Sequence, residues 1–279
     1  MYEEYWGLRE KPFENTPNPR FYYRSPEHEE TFARMLYAIR ERKGAAVISG
    51  EYGSGKTLLG RALMQELDDE RYEVAFLFNP KLSALQFLKE LVHQLGGNGQ
   101  DNDKVRLMRN LNEVLYANYR RGKDTVVLID EAQAIPDEEV FEEIRLLLNF
   151  QLNDRFLLTL LLVGQPELRE KVAAIPQFAQ RVAVQYHLKG LTFRETENYI
   201  RHRLEVAGAY YDMFLNESYS LIHERSGGIP RRINHICDLS LFEGLGNRVS
   251  RIGLEIIRSV LEDTQGVVSG EKAMHRGAR

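Results

Sequence analysis

The sequence contains little cysteine, no long apolar run and no large excess of charge of either sign. Cys237 is the only cysteine among 279 residues, which excludes an internal disulfide framework and fits a reducing compartment. The apolar runs are far shorter than the roughly 20 residues of a membrane-spanning helix, and the N-terminus lacks a signal-peptide pattern. A net charge of -4 gives no global basic surface for nucleic acid. The composition therefore predicts a cytoplasmic protein with no direct membrane insertion.

A glycine-rich segment follows the first strand-like run of the chain. Residues 50–57 read GEYGSGKT and match the P-loop pattern G-x-x-x-x-G-K-[ST], between the apolar run 45–48 and a helix-like stretch. In such a loop the backbone N–H groups surround phosphate oxygens, and the following helix N-terminus adds partial positive charge. An ordinary glycine turn is the weaker alternative. The predicted ATP-binding residues are Gly50, Glu51, Tyr52, Gly53, Ser54, Gly55, Lys56, Thr57 and Leu58, with Lys56 on the β- and γ-phosphates and Thr57 on Mg²⁺.

Adjacent carboxylates end a second apolar run. Asp130 and Glu131 follow residues 126–129, about 70 residues after the P-loop. Acidic residues commonly end strands, but together with a P-loop this pair indicates nucleotide hydrolysis. We expect Asp130 to share Mg²⁺ with Thr57, and Glu131 to polarise the attacking water.

The order of apolar patterns predicts a parallel α/β sheet covered on both faces, followed by a purely helical region. Strands are expected at 72–78, 125–129, 156–163 and 182–188, with a helix at 138–151 between two of them. Aromatic residues and three prolines suit an extended segment on a domain surface at the start of the chain. The tail lacks periodicity and is expected to be disordered. The predicted regions are 1–24 (N-terminal segment), 25–190 (nucleotide-binding core), 191–265 (helical lid) and 266–279 (tail).

Three further polar residues are candidates for contacts with the nucleotide. Gln165 ends the strand expected beside that of Asp130, where it could sense the γ-phosphate or orient water; a polar turn residue is the alternative. Arg181 is a candidate arginine finger acting on a neighbouring subunit, or else part of a surface salt bridge. Arg231 opens a helix and could contact phosphate, with Arg232 as its rival.

Segments along nearly the whole chain, up to about residue 265, resemble the ExeA/GspA-type AAA+ ATPases associated with general secretion. They are residues 5–8, 11–13, 17–23, 28, 50–51, 79–80, 130–133, 162–168 and 230–234. The resemblance implies an ASCE-type P-loop fold with a helical lid, ATP at the core–lid cleft and activity tied to self-association. It also implies Gln165 as sensor one, Arg181 as the finger and Arg231 as sensor two. Larger secretion members continue into a membrane span and a periplasmic cell-wall-binding region, for which this sequence shows no counterpart.

Two classes of function follow from this sequence. The first is an ATP-hydrolysing AAA+ ATPase that forms a homo-oligomer with nucleotide at subunit interfaces and acts as a motor or switch on a protein partner. The second is an ATP-dependent, DNA-bound regulator resembling the TniB and MuB transposition ATPases. The basic clusters Arg40, Arg42, Lys43 and Arg120, Arg121, Lys123 could line a DNA path, although each also suits the negative end of a helix dipole. A nucleotide-gated scaffold without catalysis is a third possibility.

Overall fold

The computed structural model describes residues 1–16, 18–78, 80–136 and 138–263, and these residues form two compact units. The helical unit comprises Met1–Ser25, Gly53–Gly55 and Gly190–Arg279, of which the last range is described up to residue 263. The α/β unit comprises Pro26–Tyr52 and Lys56–Lys189. The predicted disordered tail, 266–279, lies outside the described residues.

Five parallel strands form the sheet of the α/β unit, in the order β2-β3-β4-β1-β5. The strands are β1 (Ala45–Gly50), β2 (Tyr72–Leu77), β3 (Asp124–Ile129), β4 (Leu158–Gly164) and β5 (Val182–Leu188). Almost every residue of β1, β3 and β4 is buried, as expected for central strands of a parallel sheet that is covered on both faces.

The helices account for most of the remaining described residues. In chain order they are α1 (Tyr2–Trp6), α2 (Pro26–Arg40), α3 (Lys56–Glu66), α4 (Ala84–Gln94), α5 (Lys104–Arg120), α6 (Glu138–Leu147), α7 (Glu167–Ala173), α8 (Pro176–Ala179), α9 (Phe193–Val206), α10 (Asn216–Ser226), α11 (Pro230–Gly246) and α12 (254–263). Short 3-10 helices lie at Pro19–Phe21 and Ala132–Ala134. No helix in the described part of the chain combines the length and the apolar composition that crossing a bilayer requires.

Alternate side chains of the strands enter different layers of the α/β unit. In β3, Val127 and Ile129 join the apolar cluster that also contains the buried faces of α4, α5 and α6. Leu128 points the other way and meets Gly60 of α3, where an added Cβ would lie 3.4 Å from the leucine. Helices therefore cover both faces of the sheet, and the carboxyl ends of its strands are left for the connecting loops.

The helical unit buries the aromatic residues of the N-terminal segment in its own core. Trp6 and Phe13 are both 1% exposed and belong to the same apolar cluster as Leu241 and other residues of α9 to α12. The indole Nε1 of Trp6 donates to the carbonyl oxygen of Leu241 at 2.9 Å. The segment is therefore part of the packing of this unit.

The structure differs from the sequence-based expectations in three places. The segment 1–24, predicted to be extended, begins with helix α1, because its prolines come later and Gly7 at φ 69° ends the helix with a left-handed cap. The helix predicted over 138–151 ends at Leu147, because the carbonyl of Phe150 accepts the N–H of Leu157 and turns the chain toward β4. The short helices α7 and α8 were not predicted.

Candidate nucleotide site

The predicted catalytic segments follow three neighbouring strands of the sheet. Gly50 ends β1, Ile129 ends β3 and Gly164 ends β4, which lies between those two strands. The parallel register pairs Ser49 with Gly164 and Ile129 with Leu162, so the loops after these strands leave the same edge of the sheet. This edge is where ligands bind in open α/β sheets.

The P-loop has the backbone that its glycines permit. Gly53 and Gly55 have φ values of 83° and 99°, in the left-handed region that side chains rarely adopt. Lys56 begins α3, is 6% exposed, and its Nζ donates to the carbonyl oxygens of Gly50 at 2.7 Å and Glu51 at 2.9 Å. Burial lowers the pKa of the Lys56 ammonium, and nearby carboxylates oppose that shift. The loop thus holds a buried cation at the N-terminus of an 11-residue helix.

Thr57 and Asp130 place a hydroxyl beside a carboxylate. Thr57 Oγ1 donates to Asp130 Oδ2 at 2.7 Å, and the backbone N–H of Glu131 donates to the other carboxylate oxygen at 2.9 Å. Asp130 is 3% exposed, and burial raises the pKa of its carboxyl group while these two hydrogen bonds oppose the shift. Hydroxyl and carboxylate oxygens are the hard ligands that Mg²⁺ accepts, with its remaining positions filled by phosphate oxygens and water. The pair therefore fits Mg²⁺.

Glu131 occupies a strained backbone position beside Asp130. Its φ of 50° and ψ of 34° are left-handed, which is uncommon for a residue with a side chain and is often found at functional sites. Its Oε2 accepts a hydrogen bond from Gln133 Nε2 at 2.5 Å and lies 3.5 Å from Gln165 Nε2. Among the described residues no hydrogen bond reaches its Oε1. The structure thus groups Glu131 with Gln165, as their positions after β3 and β4 predict.

The two candidate arginines occupy different places. Arg181 directly precedes β5, and its guanidinium donates to Asn149 Oδ1 at 2.8 Å. The register pairs Val182 with Ala45, so Arg181 lies at the amino edge of the sheet, away from the end of β1. Within the helical unit, the backbone N–H of Arg231 donates to the carbonyl oxygen of Gly53 at 3.2 Å.

The contact between Gly53 and Arg231 is close enough to restrict both residues. A Cβ added to Gly53 would lie 2.5 Å from the Cβ of Arg231. Arg232, the rival candidate, is exposed on α11, whereas Arg231 is partly buried. Arg231 is therefore the residue of this pair that contacts Gly53 within the helical unit.

Two residues at the site have no role in the sequence-based hypothesis. Gln133 connects Glu131 with Gln165, and Lys171 in α7 donates to the carbonyl oxygens of Gln133 at 2.6 Å and Ile135 at 2.8 Å. The sequence carries a signal only for Gln133, which is two residues after Glu131.

A cavity of about 570 Å³ lies elsewhere in the α/β unit, between the carboxyl end of β2 and helix α4. It includes Phe76, Phe78, Lys89 and His93 and none of the P-loop residues. This cavity is therefore separate from the P-loop and its facing carboxylates.

A parallel sheet in this strand order, with a P-loop after β1 and paired carboxylates after β3, defines an AAA+ P-loop fold. A model of the AAA domain family matches residues 39–172. General secretion pathway protein A of Aeromonas hydrophila is 37% identical over 244 residues, which cover 86% of this chain and 44% of that protein. The chain belongs to the ExeA/GspA-type AAA+ family. It spans less than half the length of this relative.

Solved structures support the fold at low sequence identity. The ORC2 protein of Aeropyrum pernix, in ADPNP–ADP complexes, has a TM-score of 0.60 and 19% identity, covering 90% of this chain and 71% of its own. The ORC1 protein of the same organism, in complex with DNA, has a TM-score of 0.62 and 13% identity, covering 85% and 64%. These similarities establish the shared AAA+ architecture.

Proposed function

We propose that this chain binds and hydrolyses ATP and works as an oligomeric motor or switch on a protein partner, in envelope assembly or secretion. The observation that carries this proposal is the 2.7 Å approach of Thr57 Oγ1 to Asp130 Oδ2 at the start of α3, with Glu131 adjacent. These are the groups that nucleotide hydrolysis requires at a P-loop. The 37% identity to General secretion pathway protein A supports the secretion-type role.

Each side chain has a separate task in the proposed reaction. Lys56 exchanges its two loop carbonyls for oxygens of the β- and γ-phosphates, and Thr57 and Asp130 would hold Mg²⁺. The metal ion, when bound, neutralises charge on the phosphates. Glu131 orients the attacking water through Oε1, and Gln165 contacts the γ-phosphate or this water.

The arginines complete the proposed site. Arg231 contacts phosphate from its position beside Gly53, which supports a sensor role for it. Arg181 acts on the nucleotide of a neighbouring subunit, where its charge stabilises the transition state. This arrangement makes hydrolysis depend on a homo-oligomer.

A second candidate function is an ATP-dependent, DNA-bound regulator. It is favoured by the basic runs at the carboxyl ends of α2 and α5, which lie together because Arg42 pairs with Asp124 at 2.7 Å. The ORC1 structure with a related fold contains DNA. However, Asp124 neutralises Arg42, and Glu73 pairs with Lys123 at 3.3 Å, so the surface is less positive than the sequence indicates. The protein partner is therefore the first choice.

A DNA-binding titration at several salt concentrations, with and without ATP, separates the two candidates. A DNA-bound regulator binds duplex DNA at low salt, and its affinity falls steeply as salt rises because counterions are released. The proposed protein-directed ATPase shows no such binding in either nucleotide state. ATP-dependent binding at physiological salt would replace the first candidate with the second.

The catalytic assignment is tested with Glu131→Gln. The variant retains ATP binding, because the P-loop and Mg²⁺ groups are intact, and its hydrolysis rate falls by roughly 10² to 10⁴ because the water loses its general base. Phosphate release and ATP affinity are measured on the same preparation. Hydrolysis at the wild-type rate would remove Glu131 from its role.

A further inference from the structure

Gln133 lies between Glu131 and Gln165 and uses both ends of its side-chain amide. Its Oε1 accepts the backbone N–H of Gln165 at 2.9 Å, and its Nε2 donates to Glu131 Oε2 at 2.5 Å. A backbone N–H can only donate, so the amide oxygen must face Gln165. The amide NH₂ therefore faces the Glu131 carboxylate, with no ambiguity in its orientation.

The backbone of Gln133 is also fixed. It lies within the 3-10 helix Ala132–Ala134, and its carbonyl oxygen accepts a hydrogen bond from Lys171 Nζ at 2.6 Å. The same ammonium donates to Ile135 at 2.8 Å. Lys171 thus ties both sides of this short turn to α7, and the Gln133 side chain extends from a constrained base.

Gly164 provides the space that the Gln133 side chain occupies. A Cβ added to Gly164 would lie 2.6 Å from Gln133 Oε1 and 3.2 Å from its backbone nitrogen. Gly164 is the last residue of β4 and precedes Gln165. The absence of a side chain at position 164 is therefore required for the bridge between the ends of β3 and β4.

We propose that Gln133 is a positioning residue that orients the Glu131 carboxylate and couples that orientation to the end of β4. Its NH₂ group holds Oε2, which leaves Oε1 for the attacking water, and its oxygen fixes the backbone from which Gln165 extends. This inference rests on the proposed function, because it assumes that Glu131 acts on the water.

The first test compares Gln133→Met and Gly164→Ala in steady-state ATP hydrolysis. Methionine keeps the length of the side chain and removes both hydrogen bonds, whereas alanine at 164 displaces an unchanged Gln133. Each variant lowers kcat by roughly ten- to a hundredfold, the loss typical when a group that holds a catalytic side chain is removed, with KM for ATP within about twofold. Both changes act through the side chain of Gln133. The kcat of the double variant is therefore no lower than the kcat of the less active single variant.

The second test measures kcat and urea unfolding of Gln133→Glu beside Gln133→Met. The new carboxylate can still accept the backbone N–H of Gln165 but has no NH₂ group to donate to Glu131. The positioning role therefore predicts that both variants lose kcat by roughly tenfold or more while KM for ATP stays within about twofold. A role limited to folding predicts that kcat is lost only in a variant whose free energy of unfolding also falls. This comparison remains informative if Gly164→Ala fails to fold.

The outcomes separate this inference from the proposed function. Wild-type kcat in Gln133→Met, together with strong loss in Glu131→Gln, overturns the positioning role and leaves the proposed hydrolysis intact. Additive losses in the double variant, or wild-type kcat in Gln133→Glu, also overturn the positioning role. Wild-type kcat in Glu131→Gln instead overturns the assumption on which the inference rests.

Discussion

Lys56 is a buried cation whose partners belong to its own loop. Its Nζ donates to the carbonyl oxygens of Gly50 and Glu51, and burial lowers the pKa of the ammonium. Phosphate oxygens are stronger acceptors than peptide carbonyls because they carry negative charge. In the proposed function, nucleotide binding therefore gives this ammonium partners that compensate for its burial better than the loop does.

We expect Lys56→Ala to weaken ATP binding. Loss of the charged hydrogen bonds costs about 1.5 to 3 kcal/mol, so the Kd for a fluorescent ATP analogue rises roughly ten- to a hundredfold. Arg61→Ala is the matched control, because Arg61 is an exposed cation on the same helix. Its guanidinium lies over the Phe78 ring at 5.7 Å. Equal weakening in both variants would show that the effect is nonspecific loss of positive charge.

At the residue scale, the positions of the proposed reactive groups follow from the sequence more directly than the positions of the residues that support them. Asp130 and Glu131 follow an apolar strand, and parallel-sheet geometry brings that strand end toward the P-loop. Gln133 is visible in the same motif, but its partner is set by the left-handed backbone of Glu131 and the 3-10 helix after it. Lys171 carries no signal, because its contact with Gln133 depends on how α7 packs.

At the element scale, prediction succeeds where a periodic pattern is long or a strand is fully buried. The bounds of β5 agree with the expected 182–188, and the helices from α9 onward begin and end near their predicted caps. Helices α7 and α8, with seven and four residues, are too short for a 3.6-residue period to be recognised. Helix α1, with five residues, is likewise too short for a period, and its signal is the Gly7 cap, which lies close to prolines that favour an extended chain.

One buried arginine adds polar contacts to the apolar packing that holds the N-terminal segment in the helical unit. Arg203 of α9 is 6% exposed and donates to the carbonyl oxygens of Pro12 and Glu14 and to the Tyr199 hydroxyl at 2.5, 2.9 and 2.8 Å. Its guanidinium also lies over the Phe21 ring at 4.8 Å. A buried charge satisfied largely by backbone carbonyls links the segment to α9.

We expect Arg203→Met to lower the free energy of unfolding of the helical unit by about 3 kcal/mol, because buried acceptors lose their charged donor. Trp6 is the only tryptophan and is buried in this unit, so its fluorescence during urea unfolding reports the change. Arg225→Met is the control, because Arg225 lies on α10 of the same unit and its exposed pair with Glu224, at 3.8 Å, contributes at most about 1 kcal/mol. Similar losses in both variants would contradict the role of Arg203 as an anchor.

His202, the residue before Arg203, makes the stability of this unit depend on pH. Its Nε2 is buried without a hydrogen-bond partner among the described residues, and burial lowers its pKa below the usual 6.5. The charge of Arg203 adds to this shift, whereas Glu205 opposes it. The unfolded chain therefore binds this proton at a higher pH than the folded unit does, and stability is lost as the pH falls below about 6.5.

We expect His202→Gln to reduce the fall in unfolding free energy between about pH 7 and pH 5, because the substituted residue does not take up a proton on unfolding. Urea unfolding followed by Trp6 fluorescence at several pH values measures this slope. His235→Gln is the control, because His235 is an exposed histidine on α11 of the same unit. A wild-type slope in His202→Gln would assign the pH dependence to other groups.

At the scale of the whole molecule, the position of Arg181 constrains how any site could use it. Arg181 precedes Val182, which pairs with Ala45 at the amino end of β1, whereas the P-loop begins at Gly50 at the other end. Five residue steps along a strand amount to about 17 Å, well beyond the reach of an arginine side chain. If Arg181 contacts a nucleotide, that nucleotide is bound by a different copy of the chain.

Mixing two inactive variants tests this requirement. Arg181→Ala has an intact P-loop but lacks the arginine that would act on a neighbour's nucleotide. Lys56→Ala has this arginine but binds ATP weakly. Each variant alone therefore hydrolyses little ATP. In an equimolar mixture that assembles at random, roughly one site in four combines an intact P-loop with a neighbour's Arg181. We therefore expect ATP hydrolysis at about a quarter of the wild-type rate, and only above the concentration at which light scattering detects assembly. No recovery in mixed assemblies, or full loss by Arg181→Ala in a demonstrably monomeric enzyme, would contradict action between subunits.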